Sequence, residues 1–147
     1  MSSPFFVAKS FILSPSVIPL NPMNRLIVYR SIRIAIAFVW LVNGLWCKLL
    51  EQVPRHEQIV DSILGYDPDL MTKVIGGLEL VMVLWILSAK YVKLNVWFQV
   101  IIIVIMNVME FAMVPDLLLW GKWNLLFAIL FASIILSNEY CLRPAQT

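Results

Sequence analysis

Glu79 and Glu110 are carboxylates set in stretches with few other charges, GGLELVMVLWIL around the first and MNVMEF around the second. An ionisable side chain in the hydrocarbon region of a bilayer costs about 2.5–3.5 kcal/mol on insertion scales, so it must face other protein groups, pair, or reach water. Glu79, flanked by Gly76–Gly77 and the run from Leu80 to Leu87, is too short to reach the interface from that depth. Asn107 precedes Glu110 by three residues and therefore shares its helix face, a stripe that Gln99, Ile103 and Met106 extend. Lys48 and Trp46 with Asn43, Lys122 with Asn124, and the sole histidine, His56, complete the set. Carboxylates, amines, amides and one imidazole in apolar surroundings suit the polar part of a small molecule. Carboxylates shielded from water are also suited to exchange protons with it. The candidate binding constellation is Trp46, Lys48, His56, Glu79, Asn107, Glu110, Lys122 and Asn124; no catalytic role is assigned to any of them.

Each of these has a plainer reading. Glu79 with a lysine partner serves equally as a packing ion pair in a bundle without a hydrophobic driving force. Lys48 and Lys122, near helix ends, can reach the interface without further purpose, and Lys73 is read that way outright. His56 is either a pocket contact or an exposed loop residue. Asn107 and Asn124 are ordinary interhelical hydrogen-bonders, and Gly76–Gly77 most simply permits close helix approach.

Other chemistries are disfavoured. Cys47 and Cys141 fall near opposite ends of the first and last spans, far beyond the roughly 4.4–6.8 Å between Cα atoms of a disulfide, and there is no CxxC pair. One histidine cannot provide bis-histidine haem ligation; a His–Glu–Glu metal site stays open, although its spacing matches no known signature. Gly-rich phosphate loops and nucleophile elbows are missing from the sequence.

The elements that must position these groups follow from composition. The 147 residues are 61% hydrophobic and 14% charged, with a mean hydropathy of +0.87. A soluble domain is about 45–50% apolar and about 25% charged, and one of this size cannot hide such an excess in a core. Disorder, a nucleic-acid-binding surface and an ordinary cytosolic enzyme are disfavoured; the net charge of +2 is spread along the chain without a basic patch. Four apolar runs, near 26–50, 70–89, 94–114 and 117–137, each approach the roughly 20 residues that span a bilayer. Lipid admits only helices or closed barrels, and IIIVI at 101–105 does not alternate as a barrel strand would. The expected fold is all-α, a polytopic four-transmembrane-helix bundle.

Between the first two runs, Pro54 suits a helix start and Gly65 its exit. His56, Ile59, Val60, Ile63 and Leu64 then share one face, with Arg55, Asp61 and Ser62 directed elsewhere. A short amphipathic helix is expected to lie over the bundle in this first extracytoplasmic loop. Lys9, Arg25, Arg30, Arg33, Lys90, Lys93 and Arg143 fall on the side of the termini, against Lys48, Arg55, Lys73 and Lys122 on the other. This imbalance predicts both termini in the cytoplasm. Residues 1–22, broken by four prolines, read as a flexible or interfacial leader, with Met23 an alternative start, and residues 139–147 as a tail.

The segments RIAIAFVWLVNGLWCKLL, VPRHEQIV, GGLELVMVLWIL and MNVMEF resemble the DoxX-like small membrane proteins over about residues 23–137. The ordered set K-L-L, P-x-H, G-x-E and N-x-x-E carries the likeness, and counterparts of Lys48, His56, Glu79 and Glu110 recur in the family's patterns. The resemblance implies a four-helix bundle in a bacterial inner membrane. It also implies a link to membrane oxidoreductases that pass electrons toward quinone, because some relatives are associated with these. Two functions stand open. One is a ligand site for a quinone-like or other amphiphilic molecule, in a component that works with a membrane or soluble oxidoreductase partner. The other is a non-enzymatic anchor or stabilising subunit whose polar cluster is purely structural. Four spans without an inverted repeat argue against a transporter, an objection that a homo-oligomer would relax.

Overall fold

The computed structural model describes residues 21–144; the expectation of a leader falls on residues that lie almost wholly outside this range. Four helices are long and apolar enough to cross a membrane. They are α1 (Pro22–Leu49), α3 (Pro68–Ser88), α4 (Val92–Met113) and α5 (Trp123–Leu142). The shorter α2 (Arg55–Leu64) lies between α1 and α3, and among the described residues there is no strand.

Local chemistry sets the helix ends. The Asn21 side chain accepts from the Met23 N–H at 3.3 Å and Pro22 opens α1, while Asp67 does the same for the Leu70 N–H at 3.2 Å ahead of α3. Gly65, at φ +60, ends α2 by donating its N–H to the Asp61 carbonyl at 2.9 Å. Ala89 and Tyr91, both at positive φ, make the tight turn from α3 to α4.

Two boundaries differ from the sequence reading. The fourth span begins at Trp123 rather than near 117, because Pro115 starts a short 3₁₀ turn and Gly121 adopts φ +53. It also runs on to Leu142, so residues 139–142 are helix and not tail. The guanidinium of Arg25 holds this end by donating to the Cys141 and Leu142 carbonyls at 2.7 and 3.2 Å. The same contacts put both described termini at one end of the molecule, opposite α2.

Apolar and polar residues are arranged for lipid. Leu78 and Leu84 are 64% and 68% exposed, whereas Lys48, Glu79, Gln99 and Glu139 are buried. The helices form two pairs, α1 with α3 and α4 with α5, and α2 packs against α1, α3 and α4. At the terminal end the pairs meet in a core around Ile36, Trp40, Met82, Ile86, Val96 and Ile135. At the α2 end they enclose a cavity instead.

Candidate functional site

The cavity has a volume of about 670 Å³ and is walled by α1, α4 and α5 with Glu79 of α3, and α2 is its cover. Its position follows from a change of helix type. From Val42 to Leu49 α1 is π-helical, and i→i+5 hydrogen bonding stacks residues five apart. Lys48 therefore stands above Asn43, with Cys47 beside it, and all three line the cavity. Trp46 falls on the other side, 56% exposed and outside the lining. The structure thus sets it apart from the constellation in which the sequence reading places it.

Gly44 and Gly76 bring α1 and α3 together so closely that a Cβ on either would sit 2.8 or 2.9 Å from the other's carbonyl oxygen. Gly77, by contrast, touches nothing that a Cβ would meet. This approach seats the Lys48 ammonium 2.5 Å from Glu79 Oε1, both side chains buried. Oε2 of Glu79 is buried without a hydrogen-bond partner.

Across the cavity, Asn124 Nδ2 donates to Asn107 Oδ1 at 3.1 Å and lies 3.5 Å from Glu110 Oε2. The floor is Trp40, whose indole N–H donates to Gln99 Oε1 at 2.9 Å; Gln99 in turn donates to Asn95 Oδ1 at 2.7 Å. His56 lines the cavity from α2. Burial first, and then the positive charges of Lys48 and Arg55, lower its imidazole from 6.5 to about 4, so it is neutral at pH 7.

Lys48, His56, Glu79, Asn107, Glu110 and Asn124 are thus brought together, and Trp46 and Lys122 are not. Lys122 immediately precedes α5 and is exposed, because the Gly121 turn delays the helix. Arg55 corrects the reading in the other direction. It lines the cavity, and its Nε is buried without a partner. Side chains in a helix lean toward its N-terminus, and Arg55, as the first residue of α2, reaches from the helix end into the cavity. Lys73 sits outside, in exposed pairs with Glu51 and Asp69 at 2.9 and 2.7 Å.

A second polar cluster at the terminal end escaped the sequence reading. Tyr29 donates to Glu139 Oε2 at 3.0 Å, and Arg143 pairs with the other oxygen. The spacing Ile135, Asn138, Glu139, Leu142 continues the buried stripe of α5 and was the available signal. Among the described residues, no three His, Cys, Asp or Glu side chains are grouped closely enough to hold a metal ion.

Four membrane-length helices around a largely apolar chamber that holds a few polar side chains, covered by an amphipathic helix, define an integral membrane bundle of the small polytopic class. Within that class the chain belongs to the DoxX-like family, whose profile matches residues 37–137 and so takes in every chamber-lining residue. No curated protein and no solved structure gives a significant match.

Proposed function

We propose that the chamber holds an amphiphilic small molecule, quinone-like molecules being one such class, and that the protein serves as a ligand-binding or accessory component of a membrane redox system. The observation that carries this reading is buried polarity around open space. Arg55 Nε and Glu79 Oε2 lack partners beside a cavity of about 670 Å³, within the range of small-molecule sites. Unsatisfied buried polar atoms are destabilising, and a ligand head group would relieve that cost. Glu110 and the neutral His56 are the groups positioned to exchange a proton or hydrogen bond with such a head. The redox setting rests on the family resemblance. The bacterial inner membrane likewise rests on the family resemblance, and the excess of Lys and Arg at the terminal end supports both termini in the cytoplasm with the chamber toward the opposite face.

Native mass spectrometry of protein released gently from its own membrane tests this. A bound small molecule, lost in a folded Glu110→Gln variant, is the expected result. A clean unliganded mass with a co-purifying protein would instead favour the anchor reading, for which the exposed apolar helix faces are the available surface.

A further inference from the structure

A second cavity, about 150 Å³, lies beneath α2 where α3 and α4 diverge from their shared turn. Apart from its junction with the chamber its walls are apolar: Val60, Ile63 and Leu64 of α2, Ile75 of α3 and Met109 of α4. Leu64 and Met109, at 50% and 37% exposure, form its rim on the outside of the bundle. Lys48, His56, Ile59, Met106 and Glu110 line both cavities, so the chamber, whose few polar groups stand among apolar side chains such as Ile102, Ile103 and Phe127, and the apolar groove share one wall of side chains. Met106 in that wall is unbranched and adaptable.

From this juxtaposition we infer that the ligand is a single-chain amphiphile whose tail lies in the groove between α3 and α4, and whose head in the chamber offers an acceptor to Arg55 and a donor to Glu110. The inference rests on the chamber being a ligand site. The groove's small volume, about 150 Å³, suits one chain rather than two. The head chemistry follows from the charges that remain. Lys48 and Glu79 neutralise each other at 2.5 Å. Arg55 and Glu110 form no ion pair with each other or with any described residue, and Arg55 Nε has no partner at all. A head carrying opposite charges, or a matched acceptor and donor, meets both without burying net charge. The exposed groove rim lets the chain enter sideways from the lipid beneath α2.

The probes are a lysophosphatidylethanolamine with a diazirine at the chain end, and glycerophosphoethanolamine, which has the same head and no chain. Both are presented to the full-length protein in nanodiscs. Expected are crosslinks confined to Ile63, Ile75 and Met109, with Met109→Trp weakening the chain-bearing probe about tenfold or more and leaving the head-only probe unchanged. Arg55→Gln and Glu110→Gln should weaken both probes. Ile75→Phe replaces Met109→Trp if thermal unfolding shows that variant to be misfolded. Crosslinks spread over lipid-facing positions such as Leu78 and Leu84, or chain binding indifferent to both groove variants, would overturn the tail assignment while head-only binding kept the chamber reading. Failure of both probes with wild-type protein overturns the inference as a whole; the native mass measurement decides the chamber reading separately.

Discussion

Removing one member of the Lys48–Glu79 pair leaves the other charge buried without its partner. Breaking a buried pair costs about 3–5 kcal/mol, whereas replacing both partners with apolar groups is often neutral. Glu79→Gln alone is therefore expected to lower the thermal unfolding temperature in detergent, and Lys48→Met with Glu79→Leu to restore it. Glu110→Gln should behave differently, since the one described hydrogen bond of the Glu110 side chain is the 3.5 Å contact from Asn124. It should leave unfolding nearly unchanged and abolish ligand retention. His56 adds a pH signature. The folded protein keeps it neutral down to about pH 4, while the unfolded chain binds a proton near 6.5. The unfolded state thus holds more protons between those values, and stability must fall as pH drops through that window. Unfolding measured from pH 7 to pH 4 should show the decline in wild type and a shallower one in His56→Gln.

At the scale of elements, the α1–α3 crossing sets the site. With a Cβ at Gly44 or Gly76 placed under 3 Å from backbone oxygen, no side-chain rotation removes the clash and the helices must separate. Gly76→Val is expected to destabilise by at least the roughly 1–3 kcal/mol typical of overpacking. The same change at Gly77, where nothing lies within reach, should cost far less, so the pair of variants compared by thermal unfolding isolates the crossing. The π-helical end of α1 belongs with this contact. It turns Lys48 toward Glu79 at the level where the backbones touch, and carries Trp46 outward to the lipid.

For the whole molecule, the Arg25 contacts to the last carbonyls of α5 tie the start of α1 and the end of α5 to one face. Cys141 is exposed there, while Cys47 lines the chamber near the other end. In a Cys47→Ser background, a membrane-impermeant maleimide should label Cys141 in inside-out vesicles and not in intact cells. The opposite pattern would reverse the orientation and turn the chamber toward the cytoplasm. The helix pairs converge on an apolar core at the terminal end and part at the α2 end, so the chamber is a product of the arrangement of all four spans. No single helix encloses it.

The spans, the amphipathic helix between Pro54 and Gly65, and the inward placement of Glu79, Glu110, Asn107 and Asn124, of which only Glu79 is fully buried, were legible in the sequence. Hydropathy, helix periodicity and capping residues act over a few turns of one segment, and a carboxylate in an apolar run has few places to go. Tertiary structure alone decided that Lys48 and not Lys122 pairs with Glu79, that Arg55 enters the chamber while Trp46 leaves it, and that an apolar groove adjoins it. Those outcomes depend on the π-helical register of α1, the turn that delays α5 to Trp123, and the divergence of α3 from α4. Each is set by how distant helices pack, and a helical wheel drawn on one segment contains no information about it.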